Sequence, residues 1–73
     1  MIDMTYDLEA DAAYIYIARG EIDRQEEHGP FICDVDTEGR VLGIEILSTR
    51  TVLASGDWQK ARRPGTTRID TAE

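Results

Sequence analysis

Apolar and polar residues alternate from the start of the chain: Ile2, Met4 and Tyr6 are separated by Asp3 and Thr5. Successive side chains of a strand point to opposite faces, so this spacing predicts a first strand with one buried face. Asp7 then stands where a helix N-cap would. Leu8, Glu9, Ala10 and Asp11 predict a single helical turn whose acids sit near its positive end. Period two resumes from Ala12 to Ala18, a predicted second strand with Tyr14 and Tyr16 on one side and Ile15 and Ile17 on the other. A strand apolar on both sides implies a sheet covered on both sides.

Arg19-Gly20 marks a turn. The stretch from Glu21 to His28 is polar with only Ile22 apolar, which reads as an edge strand or an extended loop, since charged residues on an edge block unwanted pairing. Gly29-Pro30 breaks it. Phe31, Cys33 and Val35 then alternate with Asp34, and Leu42, Ile44 and Ile46 form the next apolar row. A three-residue connection would set the first row against Val41, Gly43 and Glu45. A four-residue one sets it against Leu42, Ile44 and Ile46. The second choice gathers six apolar side chains, so the reading takes the four-residue loop Asp36-Thr37-Glu38-Gly39, a type I turn ending in glycine. Gly43 is then expected opposite Ile32 on the other face, where a missing side chain lets something approach closely.

After Leu47 the pattern changes. Ser48-Thr49 could cap a short helix running through Leu53 and Ala54 to Gly56. Asp57 could cap a second turn carrying Trp58 to Arg63, ended by Pro64-Gly65. From Thr66 the chain is polar and without period, and disorder is expected there. The predicted fold is mainly β (α+β): a small antiparallel meander of four or five strands, with one helical turn after the first and a short C-terminal helix. Residues 1–56 form the domain, and 57–73 the helix and tail.

Size and charge change this picture in one respect. A chain of 73 residues is one domain that buries only about 60% of its unfolded surface, and a core this small usually needs a staple, a metal or a partner. Cys33 is the only cysteine, so no disulfide forms, and one Cys with one His cannot make a zinc cluster. Self-association is the remaining remedy. A homodimer is expected, with Tyr14, Ile15, Tyr16 and Ile17 at its interface. No apolar run is long enough for a membrane span and no basic segment opens a signal peptide, so a cytoplasmic protein is expected. Residues 1–47 hold twelve acidic and three basic side chains, a balance of −9. Residues 48–73 hold three and five, a balance of +2. Such acidity repels nucleic acid and membrane phosphates, and attracts a basic protein surface or simply keeps a small protein in solution.

Candidate chemistry is sparse. Asp7, Glu9 and Asp11 crowd one turn and could offer oxygen ligands to Mg²⁺ or Ca²⁺, yet no EF-hand pattern is present, and a capped turn with solvated acids explains them as well. Asp34 and Asp36 point to one face. His28 has no orienting partner in sequence and reads as solvated. Cys33 shares an apolar row and reads as an inert thiol. Tyr6, Tyr14 and Tyr16 suit either a core or an interface. Trp58 beside Lys60, Arg62 and Arg63 could lie on a nucleic-acid backbone, although packing on the sheet is the simpler use. No catalytic residue and no cofactor site is assigned.

Tyr6-Asp7, Ala10-Asp11-Ala12 and Tyr14-Ile15-Tyr16, followed by Gly39-Arg40-Val41 and Gly43-Ile44-Glu45-Ile46-Leu47, resemble a small prokaryotic family catalogued as domain-of-unknown-function family 2283. The resemblance spans residues 1 to about 49. Leu8 departs from it, since the family often has proline there, and the chain from Arg50 has no counterpart. The resemblance implies a β meander and no established activity. Genes for similar proteins often lie beside genes for small putative toxins, which associates the family with an antitoxin-like role. Two readings follow: a non-enzymatic interaction module with a basic protein partner, for which Asp7, Glu9, Asp11, Asp34, Asp36 and Glu45 supply charge and Tyr14 and Tyr16 anchor, or a small metal- or ligand-binding enzyme using Asp7, Glu9 and Asp11.

Overall fold

The computed structural model describes residues 2–65. The expectation of disorder from Thr66 onward falls outside them. Five strands form one antiparallel sheet: β1 (Asp3–Asp7), β2 (Ala12–Tyr16), β3 (Arg24–His28), β4 (Phe31–Val35) and β5 (Val41–Leu47), in the spatial order β1-β2-β5-β4-β3. A helical turn α1 (Thr49–Val52) and a 3-10 turn (Asp57–Lys60) follow. The mainly β fold read from the sequence is the fold observed.

Strand order explains why β2 is apolar on both sides. It lies between β1 and β5, with Ile15 paired to Met4 and Ile44, and Tyr14 to Thr5 and Glu45. One face of the sheet carries the buried Tyr6, Ala13 and Ile46, with Met4, Ile15, Phe31 and Ile44 partly buried around them. Val52, Leu53, Trp58 and Ala61 cover this face. Trp58 meets Tyr6 edge to face, with ring centroids 4.8 Å apart, and its indole N–H donates to the Ala54 carbonyl at 2.6 Å. Below Trp58 the chain runs extended along β1: Arg62 bridges Thr5 in parallel, and the Tyr6 N–H donates to the Arg62 carbonyl at 2.9 Å. The other sheet edge is β3, whose Arg-Gln-Glu-Glu-His sequence is the charged edge expected.

The β4–β5 hairpin reaches its predicted phase by a different path. Phe31 pairs with Ile46 and Cys33 with Ile44, as the apolar rows require. The connection is tighter than the four-residue loop, however. The Gly39 N–H donates to the Asp36 carbonyl and the Asp36 N–H to the Arg40 carbonyl, which leaves three residues in the turn, with Gly39 left-handed at φ 80°. A bulge then restores the phase, since Val35 pairs with Val41 but Asp34 with Gly43. Gly43 is therefore opposite Asp34, not Ile32.

Three local expectations shift. The second strand ends at Tyr16 rather than Ala18, because the chain turns to cross beyond β5 and β4, with the Ile17 and Ala18 N–H groups both donating to the Leu42 carbonyl. Ser48 makes no side-chain cap, being left-handed at φ 52°. The buried Thr49 hydroxyl instead lies 2.9 Å from the Ile46 carbonyl and 3.1 Å from that of Asp11. The turn that opens at Asp57 stops at Lys60, because Ala61 onward is drawn out along β1. Among the described residues, no helix is long and apolar enough to cross a membrane.

Candidate interaction face

The sheet face away from Trp58 is built around Gly43 on the central strand. Tyr14, on the neighbouring β2, lays its phenol across this position: a Cβ on Gly43 would stand 2.1 Å from the Tyr14 oxygen and 2.6 Å from Cζ. The Tyr14 hydroxyl donates to Asp34 Oδ2 at 2.5 Å, and Gln25 Nε2, from the edge strand, donates to Asp34 Oδ1 at 2.8 Å. Asp34 is buried and both its oxygens are satisfied. Burial first, and the Asp34 carboxylate next, push the Tyr14 pKa up, so the phenol remains a donor.

Tyr16 packs against the Tyr14 ring at 4.6 Å between centroids but is 49% exposed. Tyr14, Tyr16, Thr5, Asp7, Glu45 and Pro64 line an open groove of about 280 Å³. Glu45 is only partly exposed, and no described residue gives its carboxylate a hydrogen bond or an ion pair. The groove thus joins aromatic rings to unneutralised negative charge.

The remaining acids disperse. Asp7 accepts from the Glu9 and Ala10 N–H groups at 3.0 and 3.3 Å, holding the turn as a cap does. Glu9 is exposed. Asp11 points elsewhere: its Oδ1 accepts from the Tyr6 hydroxyl at 2.7 Å and the Arg50 N–H at 3.1 Å, and pairs with the Arg50 guanidinium at 3.3 Å. Asp36 accepts from the Glu38 and Arg40 N–H groups inside the hairpin turn, and these bonds, that from Arg40 first, hold its carboxyl below the usual range. Among the described residues, no three His, Cys, Asp or Glu side chains are grouped to hold a metal. His28 is exposed at the end of β3, 3.6 Å from Glu26. Cys33 is a partly buried free thiol facing Ile44. Trp58 packs against the core with its indole N–H on the Ala54 carbonyl, and the contacts of Arg62 with Asp3 include ones at 3.3 and 2.5 Å.

The Asp11 contacts carry a pH prediction. The Tyr6 hydroxyl first, then the Arg50 N–H and guanidinium, hold the Asp11 carboxyl below its ordinary value. A carboxyl depressed on folding stabilises the native state above its unfolded pKa, and this contribution is lost as pH falls through the folded value. Wild type and Asp11→Asn should therefore differ in melting temperature at neutral pH, with the gap closing below about pH 4. A gap unchanged from about pH 7 to about pH 3 would contradict this role for Asp11.

Sequence reasoning placed Tyr14, Tyr16, Asp34 and Glu45 in one interaction reading without foreseeing the Tyr14–Asp34 contact, and it did not single out Gln25. The one signal was Gly43, flagged as a point of close approach. A family model described as protein of unknown function (DUF2283) matches residues 3–50. No curated protein and no solved structure matches the chain.

Proposed function

The chain belongs to the DUF2283 family of unknown function, and from that premise we propose that it is a non-enzymatic interaction module whose Tyr14–Tyr16 face receives a basic segment of a partner protein. The observation that carries this reading is the groove itself, where exposed aromatic surface meets the unpaired Glu45 carboxylate. Tyrosine suits such a face because a large, stiff ring buries area at low entropic cost while its hydroxyl stays wet. The antitoxin-like role associated with the resemblance is one setting in which such a face would act. Homodimerisation would use the other face, where Ile15, Ile44 and Phe31 are left only partly covered.

Titration calorimetry tests the module against the enzyme alternative. Extended basic peptides should give heat that weakens between about 50 and about 300 mM salt, because screening shortens the reach of surface charge. Heat from millimolar Mg²⁺, Ca²⁺ or Mn²⁺ without heat from basic peptides would reverse the reading in favour of a metal site at the Asp7–Asp11 turn.

A further inference from the structure

We propose that the partner's anchor is a single arginine side chain, seated in the groove with its guanidinium against the Tyr16 ring and hydrogen-bonded to Glu45. This rests on the reading of the face as a receptor for a basic segment. A groove of about 280 Å³ falls just under the cavities that hold small-molecule ligands, roughly 300–1,000 Å³, so its size suits one long side chain. Its chemistry divides in the way a guanidinium does. Tyr16, 49% exposed, offers a ring to a flat and weakly hydrated cation, and Glu45 offers two oxygens to a planar fork of donors. An ammonium group matches neither feature as well, being compact and strongly hydrated.

Asp7 adds negative potential at the other end of the groove while its carboxylate stays engaged with the Glu9 and Ala10 amides. Those bonds occupy only Asp7 Oδ1, whereas Glu45 has both oxygens open to a two-pronged donor, which makes Glu45 the acceptor proposed. Arg24, Arg40, Arg50 and Arg62 are paired with the chain's own acids, whereas Arg19 is exposed and in no ion pair among the described residues. A second copy is therefore one outcome the test must separate. Nucleic acid would bring phosphates to a face that already carries unneutralised carboxylate. A chain of net charge −7 repels a second copy from this acidic face, so the arginine is assigned to a different, basic protein.

The probes are three extended peptides differing only at one central residue, which is arginine, lysine or citrulline. Binding is followed through the amide resonances of Tyr14, Tyr16 and Glu45. Arginine should bind tightest, lysine several-fold weaker and citrulline weakest, and Glu45→Gln and Tyr16→Ala should each weaken the arginine peptide about tenfold. Neither substitution touches a buried side chain, and a thermal melt of each variant checks that the fold is kept. Equal binding of arginine and citrulline overturns the proposal. So does salt-sensitive binding that both variants leave within about twofold, although the acidic-face reading then stands. Failure of every basic peptide on the wild-type protein removes both. A protein that sediments as a dimer, and as a monomer after Tyr16→Ala, places a second copy in the groove and overturns the arginine anchor.

Discussion

Gly43→Ala should lower the melting temperature by roughly 15 °C, from a loss of about 3 kcal/mol, since each kcal/mol shifts a domain of this size by about 4–8 °C. The cost comes from close approach rather than from an unusual backbone, because Gly43 is not among the residues at positive φ. The added carbon would lie 2.1, 2.6 and 2.9 Å from the oxygen, Cζ and Cε2 of Tyr14. The ring cannot slide aside cheaply, since its hydroxyl is fixed on Asp34 and its edge on Tyr16. Overpacking of this kind costs about 1–3 kcal/mol. Expelling the phenol also strips one donor from a carboxylate only 5% exposed, a further penalty of about 1–3 kcal/mol. The two residues should therefore couple: Gly43→Ala with Tyr14→Ala should cost less than the sum of the single changes, as measured by chemical denaturation. Additive losses, or a Gly43→Ala melt within a few degrees of wild type, would show that Tyr14 does not depend on that gap.

Much of the architecture could be read because local rules decide it. Alternation gave β1, β2, β4 and β5, and Asp7 fulfils its capping role through the Glu9 and Ala10 amides. The phase of β4 against β5 was legible from the need to gather six apolar side chains. The path to it was not, because a three-residue turn followed by a bulge yields the same facing as an even loop. The face with Tyr14, Gly43 and Asp34 was hidden for a stronger reason. Periodicity assigns a side chain to a face but does not order the strands, and β2 meets β5 across two intervening strands of sequence. Tyr14 and Asp34 were each visible, while their contact depended on that order. The same limit applies to Arg62, whose partner Asp3 lies 59 residues away in sequence.

Trp58→Ala should be the other severe substitution, destabilising the protein by about 3 kcal/mol, because it uncovers the aromatic residue on which the core closes. Tyr6 is 1% exposed although it lies on β1, the outermost strand of the sheet. Its shield is the Trp58 ring, set at 85° to it, a contact worth about 0.5–1.5 kcal/mol beyond the area buried. Trp58 also precedes the stretch that pairs Arg62 with Thr5, so its loss weakens the only cover on the β1 edge among the described residues. The family match ends at residue 50, which means that this chain completes its core with residues beyond the matched segment. The expected signature is therefore local as well as global. Exchange of the Tyr6 N–H, bonded to the Arg62 carbonyl, should accelerate more than that of the amides joining β4 to β5. Trp58→Phe keeps a ring on Tyr6 and loses the indole bond to Ala54, so it should recover most of the stability. A Trp58→Ala protein melting within a few degrees of wild type would mean that residues 3–50 close their core without the segment that follows.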